Sequence, residues 1–488
     1  MQKKVTEEKK LGKYYTPIRV VKDIMDEINY VIGTDNIRKK HIMDNSCGNG
    51  SFLMEIVNRY CEECILNNVP ILDMKRELET YIHGIEINSE ELDKCIDNLN
   101  NIVFKYGLNS LNWDLLNKDA LFVNEYNGSM DYVVGNPPYV KIHNMQKHSR
   151  DVIKVFNYVK TGTADAYLIF FEIGLKMLSN NGLLAYLTPS SYFNSKTGYV
   201  LRSDFVDNNY LFKIIDYKHN QLFDATTYVA VSILLKGNNR KNIDYLIYDK
   251  YQKKYVYIDS LSADEYFLTD KFFFSDKNTL HNLSEILTTD IQCSEQFNIK
   301  VRYGLTTLAD SVFISEKFDF ESNYIKRAIK GSIGLDKEII FPYDKNGVCI
   351  EEDILKKDEL LYKYLLNNKY HLYNRDIREN SKWYSFGRTQ AIKDTYFDKV
   401  AVSMLIKDVH DLKITFSPAG AAVYSCVYVI LNDFVTLDFL EQVLRTEKFV
   451  DYVASLGKYK NGGYYSFSAS DLELYIKYCI LHGFAELL

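Results

Sequence analysis

Asn136-Pro-Pro-Tyr139 carries the residue types that can do chemistry on a planar amino group. The Asn136 amide oxygen and a neighbouring backbone carbonyl can accept the two amino hydrogens, and the Tyr139 ring can stack on the face of the molecule that bears them. Val133 and Val134 favour a short buried strand, Asp131 to Val134, just before it. Pro137 and Pro138 then end the strand abruptly, because neither donates a backbone hydrogen bond and both push the preceding residue to extended geometry. The spacing predicts a rigid loop at the carboxyl edge of a sheet. An ordinary Pro-Pro turn after a strand is the plain alternative.

Three carboxylates stand at the ends of the preceding predicted strands. His41 to Asp44 is a strand ending in Asp44, followed by the turn Ser46-Cys-Gly-Asn-Gly-Ser51 and a helix from Phe52. Tyr81 to Ile87 reads as the next strand and carries Glu86 near its end, and Ser89 caps the helix after it. Leu111 to Trp113 is a third, with Asp119 in the loop beyond. Strand, acid, glycine turn and helix is how an α/β sheet opens a nucleotide site at its switch point. Glu86 is placed to accept both hydroxyls of a ribose, and Asp119 to accept from an adenine amino group. The turn is not the GxGxxG dinucleotide fingerprint, and no GxxxxGK[ST] phosphate loop occurs anywhere in the chain. An adenosine without a phosphate chain is therefore expected, and S-adenosylmethionine (SAM) fits.

The elements that must hold these residues alternate. Thr16 is the expected N-cap, and Pro17 the first position, of an amphipathic helix from Ile18 to Ile32. A helix from Ala164 to Leu178 precedes strands Leu183 to Leu187, Phe212 to Asp216 and Tyr228 to Leu235, the last two a candidate edge hairpin. This rhythm predicts a doubly wound α/β sheet. The polar stretch Gly237 to Lys241 marks an expected boundary, giving domains 1–240 and 241–488. Short strand-like runs follow, and one longer helix, Leu437 to Leu456, leads into Gly457 to Ser468.

Composition matches a globular protein, with 47% hydrophobic and 25% charged residues and a net charge of −6, so any nucleic-acid contact needs local basic surface. No apolar run approaches the ~18 residues that cross a bilayer, and the charged stretch Met1 to Lys10 lacks the apolar core of a secretory signal. A reducing cytoplasm is expected from the eight scattered cysteines. Cys61 and Cys64 form one CxxC within a helical pattern, with no second pair to complete a zinc site, so no metal is expected.

The ordered set Lys13-Tyr-Tyr-Thr-Pro17, Asp44-Asn-Ser-Cys-Gly-Asn-Gly50, Glu86, Asp119 and Asn136-Pro-Pro-Tyr139 resembles the SAM-dependent DNA adenine-N6 methyltransferases. The order is that of the gamma group, whose target-recognition domain follows the catalytic one. Ala164-Asp-Ala-Tyr167, Leu187-Thr-Pro189 and Gln221-Leu-Phe223 are similar to its later motifs, and Asn45 stands where many members carry proline. The resemblance implies a Rossmann-like class I methyltransferase sheet followed by a mixed α/β target-recognition domain, with double-stranded DNA in a cleft between them. It implies that Asp44, Gly48 and Glu86 contact the methionine and ribose parts of SAM, that Tyr15 and Thr16 close the methionine end, and that Asp119 and Phe122 hold the adenine. Asn136 and the Pro137 carbonyl would draw the target N6 towards tetrahedral geometry. Tyr139 and Phe223 would sandwich the flipped base.

In the tail, Trp383-Tyr-Ser-Phe-Gly-Arg-Thr-Gln390 and Gly462-Gly-Tyr-Tyr-Ser-Phe467 resemble target-recognition segments. Lys382, Arg388 and Gln390 lie close together there, and Arg and Gln are the side chains that read guanine and adenine edges. The plain alternative is that Trp383 packs in a core and Arg388 holds a phosphate or an acid. Lys458 and Lys460 beside paired glycines suit phosphate contact, or a solvated turn. The same Asn-Pro-Pro-Tyr loop also resembles enzymes that methylate an rRNA base or a protein glutamine, and a DNA-specificity subunit with an inactive catalytic half is a third reading. The roughly 250 residues after the expected boundary favour a DNA reader. The arm before Lys13 is too short for a nuclease domain, so a solitary methylase, or one paired with a separate restriction endonuclease, is expected.

Overall fold

The computed structural model describes residues 15–109, 111–145, 147–160, 164–223, 227–289 and 298–483. Lys13 and Tyr14 of the first motif lie outside them. The chain divides into two compact units, Met1–Leu280 and His281–Leu488.

The first unit is built on a nine-stranded sheet. Its strands in chain order are β1 (Ile42–Asp44), β2 (Ile82–Ile85), β3 (Asp114–Leu116), β4 (Met130–Gly135), β5 (Leu178–Pro189), β6 (Leu211–Asp216), β7 (Val229–Leu235), β8 (Asn242–Asp249) and β9 (Lys254–Ser262). They lie in the order β3-β2-β1-β4-β5-β7-β6-β8-β9. The first five are mutually parallel, and β7 runs antiparallel to both β5 and β6. β1 and β2 are buried along their whole length, as the inner strands of a parallel sheet must be. α1 (Ile18–Glu27) precedes β1, α2 (Ser51–Leu66) and α3 (Ile71–Tyr81) join β1 to β2, and α4 (Ser89–Phe104) joins β2 to β3, with α5 (Ala166–Met177) ahead of β5. α5 is buried on almost every side, which its continuous apolar sequence requires.

Several sequence expectations shift. α1 stops at Glu27 rather than Ile32, because Asn29 adopts the left-handed region, with φ +58°, just after its end. Thr16 is not the helix cap: Pro17 holds the N-cap position, and the Thr16 hydroxyl is engaged 120 residues away. Asn88, not Ser89, caps α4, its side chain accepting from the Glu91 N–H at 3.0 Å. The third strand lies at Asp114–Leu116, past the expected Leu111 to Trp113. β6 and β7 do pair antiparallel, but inside the sheet rather than at its edge, since β8 and β9 continue it beyond β6. The Gly237 to Lys241 stretch is therefore the turn from β7 into β8, not the end of the first unit. Cys61 and Cys64 are both fully buried on α2.

The second unit holds smaller sheets. Val301–Tyr303, Val427–Ile430, Lys399–Val402 and Ile414–Ser417 form one, all antiparallel. Ile314–Ser315, Leu335–Ile340, Ile325–Lys330 and Ala422–Tyr424 form a second. Leu405–Ile406, Tyr464–Ser466 and Tyr459–Lys460 make a third. The single helix expected over Leu437 to Leu456 is two, Leu437–Leu444 and Glu447–Ser455. Thr446 restarts the chain as an N-cap, its hydroxyl accepting from the Phe449 N–H at 3.2 Å. Among the described residues no helix is long and apolar enough to cross a membrane.

Candidate functional site

The chain proceeds from β1 outward to β2 and β3, then returns to place β4 on the other side of β1. A crevice must open at the carboxyl ends of β1 and β4, where the connections diverge. A cavity of about 290 Å³ lies there. Its lining includes Tyr15, Thr16, Asp44, Gly48, Glu86, Asp119 and Asn136, seven residues expected from the sequence.

Each is held by the element before it. Asp44, the last residue of β1, is 2% exposed and accepts from the Ser46 N–H at 3.1 Å. Burial raises its carboxyl to about 7, the Ser46 N–H opposes this, and the nearby Glu86 charge adds to it. Gly135 ends β4 directly against it. A Cβ there would sit 2.7 Å from Asp44 Oδ1, and φ is +154°, so only glycine lets the two strands converge. Glu86 follows β2 and accepts from the Gly48 N–H and the Asn88 N–H, both at 2.9 Å. Gly48 takes φ +53° to present that N–H. Two backbone donors leave a carboxylate with lone pairs to spare. Asp119 accepts from the Leu121 N–H at 3.1 Å and from the Ser149 hydroxyl at 2.9 Å.

Asn136 follows Gly135, and its Nδ2 donates to Thr16 Oγ1 at 3.1 Å. Pro138 lines the cavity, and Pro137 between it and Asn136 is buried. Tyr139 donates its hydroxyl to the Leu187 carbonyl at 3.1 Å. The structure brings its ring and that of Phe223 together, centroids 6.3 Å apart, but at 72°, edge to face. The Tyr167 ring meets Tyr139 in the same way at 6.4 Å. Phe122, on the turn Ala120–Phe122, is 40% exposed and does not line the cavity.

Glu91 and Ser149 are cavity residues that sequence reasoning missed. Both are buried, and the Glu91 carboxylate accepts from the Tyr15 hydroxyl at 2.8 Å and pairs with Lys94 at 3.0 Å. In sequence Glu91 looks like an ordinary first-turn acid of α4, a signature that hides its second use. Nothing in the sequence marks Ser149.

In the second unit the expected contact residues differ in how free they are. Lys382 Nζ donates to the Cys349 and Ile350 carbonyls at 2.9 and 3.0 Å and pairs with Glu351 at 2.7 Å. Lys458 pairs with Asp471. Arg388, Gln390 and Lys460 are exposed. Trp383 is buried and stacks on Tyr373 at 12°, with the Lys369 ammonium over both rings. That is the packing alternative.

Residues 51–223 match the sequence model of a family described as Eco57I restriction-modification methylase. The chain is 24% identical to the type II restriction enzyme and methyltransferase RM.Eco57I of Escherichia coli, over 90% of this chain and 54% of that enzyme. It is also 24% identical to the type II methyltransferase M.BstVI of Geobacillus stearothermophilus, over 76% of this chain and 73% of that one. The chain thus spans about half the length of the E. coli enzyme. Among solved structures, the type IIL restriction-modification enzyme MmeI, determined in complex with DNA, superposes with a TM-score of 0.62 over 93% of this chain and 65% of its own, at 14% identity. That likeness carries the fold, and the α/β sheet expected from the sequence is borne out. So is the resemblance to restriction-modification methylases.

Proposed function

We propose, from the match of residues 51–223 to the Eco57I restriction-modification methylases, that this chain is a SAM-dependent DNA methyltransferase acting on adenine N6. The first unit would carry the chemistry and the second would read the target, as the modification arm of a restriction-modification system. One observation carries the reading: Asn136 of the Asn-Pro-Pro-Tyr loop opens into the same cavity as Asp44, Glu86 and Asp119.

The residues present fit the cofactor. Asp44, buried and raised to about 7 beside the Glu86 charge, would be stabilised in its charged form by a cation, and an α-ammonium group is such a partner. Glu86 has acceptor capacity beyond the Gly48 and Asn88 N–H groups, as a ribose diol needs. Asp119, which accepts from the Ser149 hydroxyl, would accept from an adenine amino group. Bound there, SAM would supply an electrophilic methyl group on its sulfonium.

The protein's part is then positional. Adenine N6 is a poor nucleophile because its lone pair is delocalised into the ring. Asn136 Oδ1 and the Pro137 carbonyl would accept hydrogen bonds from its two N–H groups, draw the nitrogen towards tetrahedral geometry and localise the lone pair; as the N–C bond forms and the sulfonium S–C bond breaks, one N6 proton is released to solvent. Such preorganised acceptors cost no reorganisation during the reaction. A duplex base must leave the stack to reach them. The Tyr139 and Phe223 rings, already neighbours, would offset a flipping cost of a few kcal/mol once they turn to face the base.

The test is methyl transfer from labelled SAM to unmethylated genomic DNA, wild type beside Asn136→Ala. Label recovered as N6-methyladenine, and lost in the variant, is the expected result. Label in a cytosine product, in rRNA or in a protein glutamine would sink the adenine reading.

A further inference from the structure

An asparagine amide presents an oxygen on one side and an NH2 on the other, and the two are nearly equal in shape. The proposed reaction uses only the oxygen. A flipped Asn136 would aim two hydrogens at an amino group that also carries two, and transfer would stop. Something must therefore hold Nδ2 away from the target base.

The structure supplies that group. Asn136 Nδ2 donates to Thr16 Oγ1 at 3.1 Å, across 120 residues of chain. Thr16 is only 6% exposed and sits between two fixed points. On one side the Tyr15 hydroxyl donates to Glu91 at 2.8 Å. On the other, the Pro17 carbonyl accepts from the Val21 N–H at 3.2 Å and opens α1. The hydroxyl thus has little freedom to move off the amide. The cap role that its sequence position suggests is vacant, since α1 has no side-chain cap bond.

We infer that Thr16 is the positioning residue of the catalytic amide: its hydroxyl takes up Asn136 Nδ2 and so turns Oδ1 towards the target amino group. The inference rests on the function proposed above. It assigns Thr16 a task distinct from closing the methionine end of the cavity, because the hydrogen bond exists in the protein alone.

Two variants separate the possibilities. Thr16→Val keeps the shape and removes the hydroxyl, and Thr16→Ser keeps the hydroxyl. Single-turnover methyl transfer to DNA is followed at saturating SAM, with SAM affinity measured separately by calorimetry. T16V is expected to slow transfer roughly tenfold or more at saturation, with T16S within about threefold of wild type. In the cofactor-free protein, the Asn136 side-chain NH2 resonances, assigned by their loss in N136A, should exchange with water about threefold faster or more in T16V than in wild type or T16S. Full recovery of T16V at saturating SAM would make Thr16 a cofactor ligand only and overturn the inference. So would T16S as slow as T16V, or unchanged NH2 exchange. If T16V does not fold, T16A gives the same reading with less bulk at the site. Wild type that transfers nothing to DNA sinks the functional reading itself, and the inference with it.

Discussion

The two ends of the parallel sheet in the first unit use the same residue types for opposite purposes. At the amino end, the Asp114 carboxylate accepts from His83 Nδ1 at 2.6 Å and from the Tyr126 hydroxyl at 2.9 Å. In neutral His83 that leaves Nε2 to accept from His41 Nδ1–H, 2.8 Å away. At the carboxyl end, Asp44 has the Ser46 N–H and a carboxylate neighbour. The consequence shows in their ionisation. The His83 hydrogen bond lowers Asp114 below its ordinary value, whereas burial raises Asp44 to about 7. One end completes its own hydrogen bonding; the other keeps an acid, an amide and backbone donors turned to a cavity. A polar cluster that satisfies itself contributes stability, and one that waits for a partner gives up stability to bind it.

Substitutions can break or sharpen that contrast. The largest effect belongs to the carboxyl end: Asn136→Ala should lower single-turnover transfer by about 10²–10³-fold while leaving SAM affinity and the melting temperature near wild type. His83→Gln should leave transfer intact, and an equal loss there would erase the distinction. Next comes a crossed pair. Asp44→Asn should weaken SAM binding by roughly tenfold or more without loss of stability, since it removes a costly buried carboxyl. Asp114→Asn should do the reverse, leaving SAM affinity unchanged and lowering urea stability by about 1 kcal/mol, a modest figure because that side chain is 35% exposed.

The pH dependence follows the same division. Asp44, raised to about 7, contributes stability that is complete below the ordinary carboxylate range and is lost as pH rises through about 7. If Asp44 holds the cofactor's ammonium as proposed, SAM affinity should climb by up to about tenfold per unit below that value and level off above it, and D44N should flatten the curve. Asp114, lowered, contributes stability that is present above the ordinary carboxylate range and is lost as pH falls through its depressed value. The smallest expected change is Tyr126→Phe. It should cost about 0.5 kcal/mol in denaturation and nothing in calorimetric SAM binding.

What the sequence disclosed was whatever local chemistry dictates. Asp44, Glu86 and Asp119 could be placed because a strand, a turn and a helix each leave a mark, and the Pro-Pro pair fixes where β4 ends. What escaped depended on partners distant in the chain. The Thr16 hydroxyl reads as a helix cap until Asn136 is seen beside it. Ser149 has no signature, and its bond to Asp119 spans 30 residues. Lys382 has the composition of a DNA contact, yet two carbonyls and Glu351 occupy its ammonium. The sheet beyond Lys241 was missed for a related reason. Whether β8 ends one unit or starts another depends on its parallel pairing with β6, which no local pattern records.

The place of β7 between β5 and β6 sets a timetable for synthesis. A chain growing from its amino terminus has made every residue of the cavity by Phe170, and β1 to β5 by Pro189. β6 then emerges with neither sheet neighbour in existence, because β7 and β8 both follow it. At about 5–20 residues per second, the interval from Asp216 to Leu235 lasts about 1–4 s, during which Leu211, Ile214 and Ile215 have no strand to cover them. The residues that line the cavity are thus all made while the sheet still has an open edge at β5, and the nascent chain passes through this adhesive state after they have emerged.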